Sequence, residues 1–76
     1  FNPSTTIEWT MKEFGNHRLD VYNTNGQLID VNSNGYTSPG YKQSTWDASN
    51  HASGIYIIRL VINNNLVSSN KVMLVK

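Results

Sequence analysis

Short runs of alternating apolar and polar residues, separated by turn signals about every eight to twelve residues, constrain the fold of this chain most strongly. Residues 5–11 alternate cleanly and place Ile7, Trp9 and Met11 on one face. Residues 17–22 alternate in the same way. No stretch sustains the period of about 3.6 residues that an amphipathic helix requires. The pattern predicts an all-β fold, namely an antiparallel β-sandwich of about six or seven strands.

The turn signals place the strands along the chain. Residues 23–26 end in Asn-Gly, which favours a two-residue type I′ hairpin turn. Residues 32–40 are polar, end in Pro-Gly and predict a loop at a sheet edge. Residues 55–62 are almost continuously apolar, which predicts a central strand covered on both faces. A turn at residues 63–65 leads into residues 66–75, which are predicted to close the domain as an edge strand.

Composition limits the protein classes to which the chain can belong. Its 76 residues suffice for one domain, so residues 1–76 are predicted to form a single unit. Charged residues make up only 14%, the net charge is +1 and the basic residues are scattered, which argues against nucleic-acid binding. There is no cysteine, so packing alone must hold a thin core. No apolar run approaches the roughly 18 residues of a bilayer span, and we expect no membrane insertion.

The two ends of the sequence indicate part of a longer protein. The chain opens on Phe1 rather than on an initiator methionine, and it begins without a signal peptide. The last residues, 71–76, are built into a predicted strand, whereas most domains leave their ends loose. We therefore expect a fragment from the C-terminal end of a larger secreted protein. Its final strand is expected either to close the fold or to be recognised by another molecule.

No constellation of residues predicts catalysis or cofactor binding. Asp47 and His51 fall within one short loop, and no Gly-x-Ser-x-Gly nucleophile motif accompanies them. The five acidic residues are dispersed over different elements, and no spacing of His or acidic residues matches a metal site. A glycine-rich phosphate loop is absent as well. The sequence thus predicts no enzyme, no metal and no cofactor.

The aromatic residues raise one alternative, a carbohydrate-binding module. Aromatic side chains exposed on a β-sandwich can stack on sugar rings, and the candidates are Tyr36, Tyr41 and Trp46. The competing interpretation places Trp9 and Trp46 in the core, because a thin sandwich needs large side chains to fill it. Exposure decides between the two, since buried tryptophans would oppose sugar binding.

Arg59 is the one charged residue within the most apolar segment, residues 55–62. A guanidinium there must reach the rim of the sheet or meet a partner, because an unpaired buried charge is costly. Snorkelling to the surface, a structural ion pair and a recognition role all remain open from the sequence.

Four segments, in order along the chain, resemble one known family. Residues 2–7 (Asn-Pro-Ser-Thr-Thr-Ile) are similar to the end of its opening motif, and residues 19–29 read Leu-x-Val-Tyr-Asn-x-x-Gly-Gln-x-Ile. Residues 46–60 contain Trp-Asp and then Ala-Ser-Gly-Ile-Tyr-x-x-Arg-Leu, and residues 71–76 resemble the family's lysine-containing terminal strand. The chain thus resembles the type IX secretion C-terminal sorting domain over essentially its whole length.

This resemblance implies an Ig-like β-sandwich, related in fold to the Ig-like domain of the flagellar hook-capping protein, at the end of a larger secreted cargo. It implies a signal for crossing the outer membrane of a Gram-negative bacterium, with the type IX translocon, shuttle and sortase-like proteins as partners. Such domains are commonly cleaved at the surface, and the cargo is attached to a lipopolysaccharide or released. The family's opening begins a few residues earlier, so the cleavage region is expected upstream of Phe1. The resemblance carries over to six candidate recognition residues: Gly26, Gly54, Tyr56, Arg59, Lys71 and Lys76.

Two features favour recognition at the end of the chain. Gly54 stands where a side chain is expected to crowd a partner or a neighbouring backbone. The final strand, with Lys71 and Lys76, is suited to strand addition, while its lysines hinder self-association. The hypothesis is that the secretion machinery reads the terminal hairpin. A further alternative is a structural Ig-like spacer or filament subunit that stays in the mature surface protein.

Overall fold

The computed structural model describes residues 1–76 as six antiparallel strands in two sheets. The smaller sheet pairs β1 with β4, and the larger one has the strand order β3-β2-β5-β6. The prediction of an all-β antiparallel sandwich is therefore confirmed. No helix of the structure is long and apolar enough to cross a membrane. The strands are β1 (Ser4–Met11), β2 (Gly15–Asn23), β3 (Leu28–Thr37), β4 (Gly40–Asp47), β5 (Gly54–Ile62) and β6 (Asn65–Leu74).

The core lies between the two sheets and is built by alternate residues of each strand. Leu19 and Val21 on β2 are fully buried, and they lie opposite Leu60 and Ile58 on β5. Trp46 on β4 is only 1% exposed and fills the space from the smaller sheet. Burying one such large apolar side chain contributes roughly 1.5–3 kcal/mol, so a few positions supply much of the stability of this thin domain.

Side chains, rather than a backbone ladder, join the two sheets along one side. The indole Nε1 of Trp46 donates to Oδ2 of Asp30 at 3.0 Å. The Asn32 side chain accepts from the Ser44 hydroxyl at 2.6 Å and donates to the carbonyl of Thr45 at 3.1 Å. These bonds fix β4 beside β3, so this side of the sandwich is closed.

The turn between β2 and β3 is not of the type that the sequence predicts. A type I′ turn needs positive φ at both central residues, but Asn25 does not have a positive φ, whereas Gly26 has φ of +80°. Oδ1 of Asn23 accepts the backbone N–H groups of Asn25 and Gln27, each at 3.0 Å. This asparagine side chain thus holds a longer turn in which only the glycine is left-handed.

The two-residue type I′ geometry occurs instead between β5 and β6. Asn63 and Asn64 have φ of +50° and +67°, and Ile62 pairs directly with Asn65. Asparagine tolerates the left-handed conformation better than other non-glycine residues, which explains why this turn needs no glycine.

The predicted loop over residues 32–40 is wrong for most of its length. β3 continues to Thr37, and only residues 38–39 connect it to β4. The strand pairs with β2, and the ring of His17 is held between the Gly35 carbonyl at 2.9 Å and the Ser33 hydroxyl at 2.8 Å. An edge strand made of polar residues has no apolar alternation, and its sequence therefore resembles a loop.

β5 is central, as predicted, because it lies between β2 and β6. The prediction that both of its faces are covered is wrong. Tyr56, Ile58 and Leu60 are buried under the smaller sheet, whereas Ile57 and Arg59 are only partly buried. We call the side of the larger sheet that faces away from β1 and β4 the outer face.

Candidate recognition surface

The terminal hairpin of β5 and β6 combines an interior strand with an edge strand. β6 ends the strand order of the larger sheet, so the predicted edge position of the final strand is confirmed. Across the hairpin, Arg59 lies opposite Ser69, and Ile57 lies opposite Lys71. Residues opposite each other in an antiparallel pair share a face, which places Arg59 and Lys71 together on the outer face.

Arg59 reaches the surface by lying across an aromatic ring. Its guanidinium carbon is 5.4 Å from the centre of the Tyr22 ring, within the range of a cation–π interaction. Asp20 lies opposite Arg59 on β2, but its carboxylate accepts from Nε of Arg18 at 2.5 Å and from the Tyr22 hydroxyl at 3.3 Å. Arg59 forms no salt bridge, so of the three possibilities left open by the sequence the ion pair is not made.

Tyr56 and Gly54 act within the fold. Tyr56 is 8% exposed, its hydroxyl donates to the Ala52 carbonyl at 2.5 Å, and its ring meets Trp46 edge-on with centres 5.3 Å apart. Gly54 has φ of +154°, and an added Cβ meets no atom within 4 Å. The expected crowding by a neighbouring backbone is therefore wrong, and the backbone conformation is what favours glycine there.

Lys76 and Gly26 lie at the end of the larger sheet opposite the Asn63–Asn64 turn. The ammonium of Lys76 donates to the Ser49 carbonyl at 2.6 Å, and its backbone N–H donates to the Ser53 hydroxyl at 3.1 Å. Gly26 is in the turn between β2 and β3. The structure thus brings Arg59 and Lys71 together, and it places the other candidates in the core or at this end.

The free edge of β6 is partly covered by the start of the chain. The Phe1 nitrogen donates to the Met73 carbonyl at 2.8 Å, and the Val75 N–H donates to the Phe1 carbonyl at 3.0 Å. The Phe1 ring packs against Trp46 with centres 5.9 Å apart. Further along, an open groove of about 390 Å³ separates β6 from β1, with Ile58 and Lys71 among its lining residues. The sequence did not predict the contact between Phe1 and β6, since no local pattern pairs residue 1 with residue 75.

The sugar-stacking candidates do not form a platform around Trp46. At 1% exposure Trp46 cannot meet a sugar ring, so this candidate was wrong and the core interpretation holds for it. Tyr36 on β3 stacks on Phe14 with centres 5.9 Å apart, and Tyr41 on β4 donates to Glu8 at 2.5 Å. The hydrogen bond to Glu8 raises the pKa of Tyr41, because losing the phenolic proton would break it. These two tyrosines are exposed but belong to different sheets.

The loop after β4 carries the Asp47 and His51 pair that was weighed for catalysis in the sequence. Asp47 accepts from both the backbone and the hydroxyl of Ser49, and these bonds lower the pKa of its carboxyl group. The ring of His51 packs against Trp46 and Tyr56, with centres 5.5 and 6.1 Å away. Asp47 therefore stabilises the loop through hydrogen bonds, and His51 packs the loop against two aromatic core residues.

A family model described as the secretion system C-terminal sorting domain matches residues 2–76. The chain belongs to this family. Comparison with curated proteins and with solved structures found no match. The sorting domain is a C-terminal signal for type IX secretion, which is a targeting role and not that of a known enzyme family. Neither a carbohydrate-binding module nor a structural spacer is supported by this match.

Proposed function

We propose that this sorting domain, residues 1–76, directs a preceding cargo across the outer membrane and is cleaved from it at the surface. Its partners are the type IX translocon, shuttle and sortase-like proteins, and the cargo ends secreted or on the surface of a Gram-negative bacterium. The observation that carries this proposal is the family match, which covers all but the first residue.

Within the domain we propose that the β5–β6 hairpin is the recognised element. Arg59 and Lys71 present their charges on one side of it, while Tyr56 and Gly54 hold the strand in shape. Gly26 and Lys76 act at the end of the larger sheet that lies away from the Asn63–Asn64 turn. Gly26 shapes the β2–β3 turn, and Lys76 contacts the loop after β4.

The free edge of β6 supports strand addition as the mode of contact. Met73 and Val75 direct backbone groups toward Phe1, away from β5. Because backbone directions repeat every second residue in an antiparallel strand, the corresponding groups of Ser69 and Lys71 also face the open side. An extended segment of a partner can pair with such a row.

A reporter fusion tests the proposed function. We expect a secreted reporter joined to residues 1–76 to appear outside the cells of a bacterium with a type IX system, and the same reporter without the domain to stay in the periplasm. Measurement is by immunoblot of the medium and of periplasmic extracts. Equal retention of both reporters would contradict the proposal.

The same export assay also tests whether a partner pairs with the free edge of β6. Ser69→Pro removes a backbone donor that points away from β5, so folding is expected to persist while export falls. Asn70→Pro is the matched control, because it removes a donor directed at β5 and should destabilise the domain itself. Full export of a folded Ser69→Pro fusion would exclude pairing at this position.

A further inference from the structure

The outer face of the larger sheet carries large apolar side chains in contact with solvent. Leu28 and Val31 on β3 are 45% and 37% exposed, and Leu66 and Met73 on β6 are 53% and 57% exposed. Strand register places Leu28 in one row with Tyr22 and Ile57, whereas Val31 lies in the row of Asp20 and Arg59. On β6, Leu66 lies opposite Val61 and Met73 lies opposite Ile55. Opposite residues share a face, so these four side chains lie on the outer face. Exposed apolar side chains grouped on one face of a domain mark an interaction site.

The charges on this face are unbalanced. Asp20 is its only carboxylate, and the Asp20 side chain is just 6% exposed and already bonded to Arg18. Arg59 and Lys71 have no acidic partner there. The other four side-chain carboxylates lie elsewhere: Glu8 bonds to Tyr41, Asp30 to Trp46 and Asp47 to Ser49, and Glu13 lies in the turn between β1 and β2. The outer face thus presents two cationic side chains that have no salt-bridge partner and lie among exposed apolar side chains.

We propose that the outer face is a docking surface for a partner protein whose contact surface is apolar and carries carboxylates facing Arg59 and Lys71. The proposal rests on the proposed function, because it assigns this partner to the secretion machinery. It deepens that function by naming the chemistry of the contact. Complementary charge steers association and sets orientation, and the apolar rows supply the buried area.

Charge argues against a second copy of the chain as the occupant. Two outer faces brought together would gather the unpaired cations of both copies in one contact with no free carboxylate to pair with them, and this disfavours association. A lipid surface is disfavoured as well. Recognition of anionic lipid uses clusters of about four to eight basic residues, whereas this face has three, of which Arg18 is already paired.

Charge reversal on the outer face tests the proposal in the reporter fusion. The test variant combines Arg59→Glu with Lys71→Glu, and the matched control combines Lys12→Glu with Lys42→Glu, which changes the charge equally away from this face. We expect the test variant to lower export by about tenfold or more and the control to stay within about twofold of wild type. Thermal unfolding of each purified domain shows whether it is folded.

A second pair of variants keeps the test decisive if charge reversal disturbs folding. Arg59→Gln with Lys71→Gln keeps long polar side chains, and Leu28→Thr with Met73→Thr removes apolar area at exposed sites. Either folded variant is expected to reduce export. Full export of all folded outer-face variants, with wild type also exported, would overturn the docking surface and leave the sorting function intact.

Two further measurements would reveal a different occupant of the outer face. Sedimentation of the purified domain that shows a dimer, lost in the charge-reversed variant, would overturn the proposal in favour of a second copy. Flotation with vesicles of anionic phospholipid that depends on Arg59 and Lys71 would overturn it in favour of lipid. Failure of the wild-type fusion to leave the cell would instead count against the proposed function itself.

Discussion

At the scale of single residues, burial separates side chains that look alike in the sequence. Trp46 and Tyr41 both donate to a carboxylate, buried Trp46 to the partly buried Asp30 and exposed Tyr41 to Glu8 on the surface. In the interior a lost donor leaves its acceptor without a substitute, whereas water replaces a donor at the surface. The same hydrogen bond therefore matters for stability in one place and hardly in the other.

Trp46→Phe keeps most of the buried ring but removes the indole N–H. We expect the free energy of unfolding to fall by about 1–3 kcal/mol, because the Asp30 carboxylate loses its buried partner. Tyr41→Phe is the matched control at the surface, and we expect it to leave stability unchanged. Urea denaturation followed by circular dichroism measures both, and equal losses would contradict the argument.

The core residues could be read from the sequence because alternation alone identifies an inward face. The sequence predicts that Ile7, Trp9 and Met11 share one, and in β1 Ile7 and Trp9 are half-buried and Met11 is buried. Alternation does not say what covers the face, which is why Trp46 remained a candidate for sugar stacking. The position of Arg59 was undecided for the same reason, since its face depends on which neighbouring sheet is present.

At the scale of elements, turn chemistry and strand pairing decide what local pattern leaves open. Asn-Gly at residues 25–26 predicts a type I′ turn, yet Asn23 supplies side-chain bonds that stabilise a longer turn. Residues 32–37 of β3 resemble a loop in the sequence, because a polar edge strand is held by its neighbour rather than by its own apolar residues. In both cases the deciding interaction lies beyond the local pattern, with Asn23 for the Asn-Gly pair and β2 for β3.

Gly26→Ala tests the longer turn. Gly26 has φ of +80° and free space around it, so the cost of a Cβ is the backbone conformation alone, roughly 1–2 kcal/mol. Gly26→Asn should cost less, because asparagine tolerates the left-handed region. Denaturation midpoints with an unchanged slope would establish the order glycine, asparagine, alanine. An alanine variant as stable as wild type would show that the turn has another conformation.

At the scale of the whole molecule, the sandwich is closed on one side and open on the other. Side-chain bonds link β3 to β4, whereas a groove remains between β1 and β6 that Phe1 covers only at one end. The edge position of β6 was predicted from the lysines Lys71 and Lys76 of the final strand. The outer face was not, because a continuous apolar strand such as β5 suggests cover on both sides.

Removing residues 71–76 is expected to unfold the domain. Leu74 is 1% exposed, and losing a buried leucine side chain alone costs about 2–5 kcal/mol, which approaches the total stability of a domain of this size. Ending the chain after Leu74 keeps that side chain and is the matched control, expected to fold with reduced stability. Near-ultraviolet circular dichroism reports the fixed tryptophan environment in each. A folded chain ending at residue 70 would contradict this.

The position of Leu74 also makes the fold depend on the last residues of β6. A polypeptide whose synthesis stops earlier lacks a core side chain and the partner that β5 needs along its full length. It also lacks Val75, to which Phe1 is bonded. A polypeptide whose synthesis stops before Leu74 is therefore expected to carry no folded sorting domain.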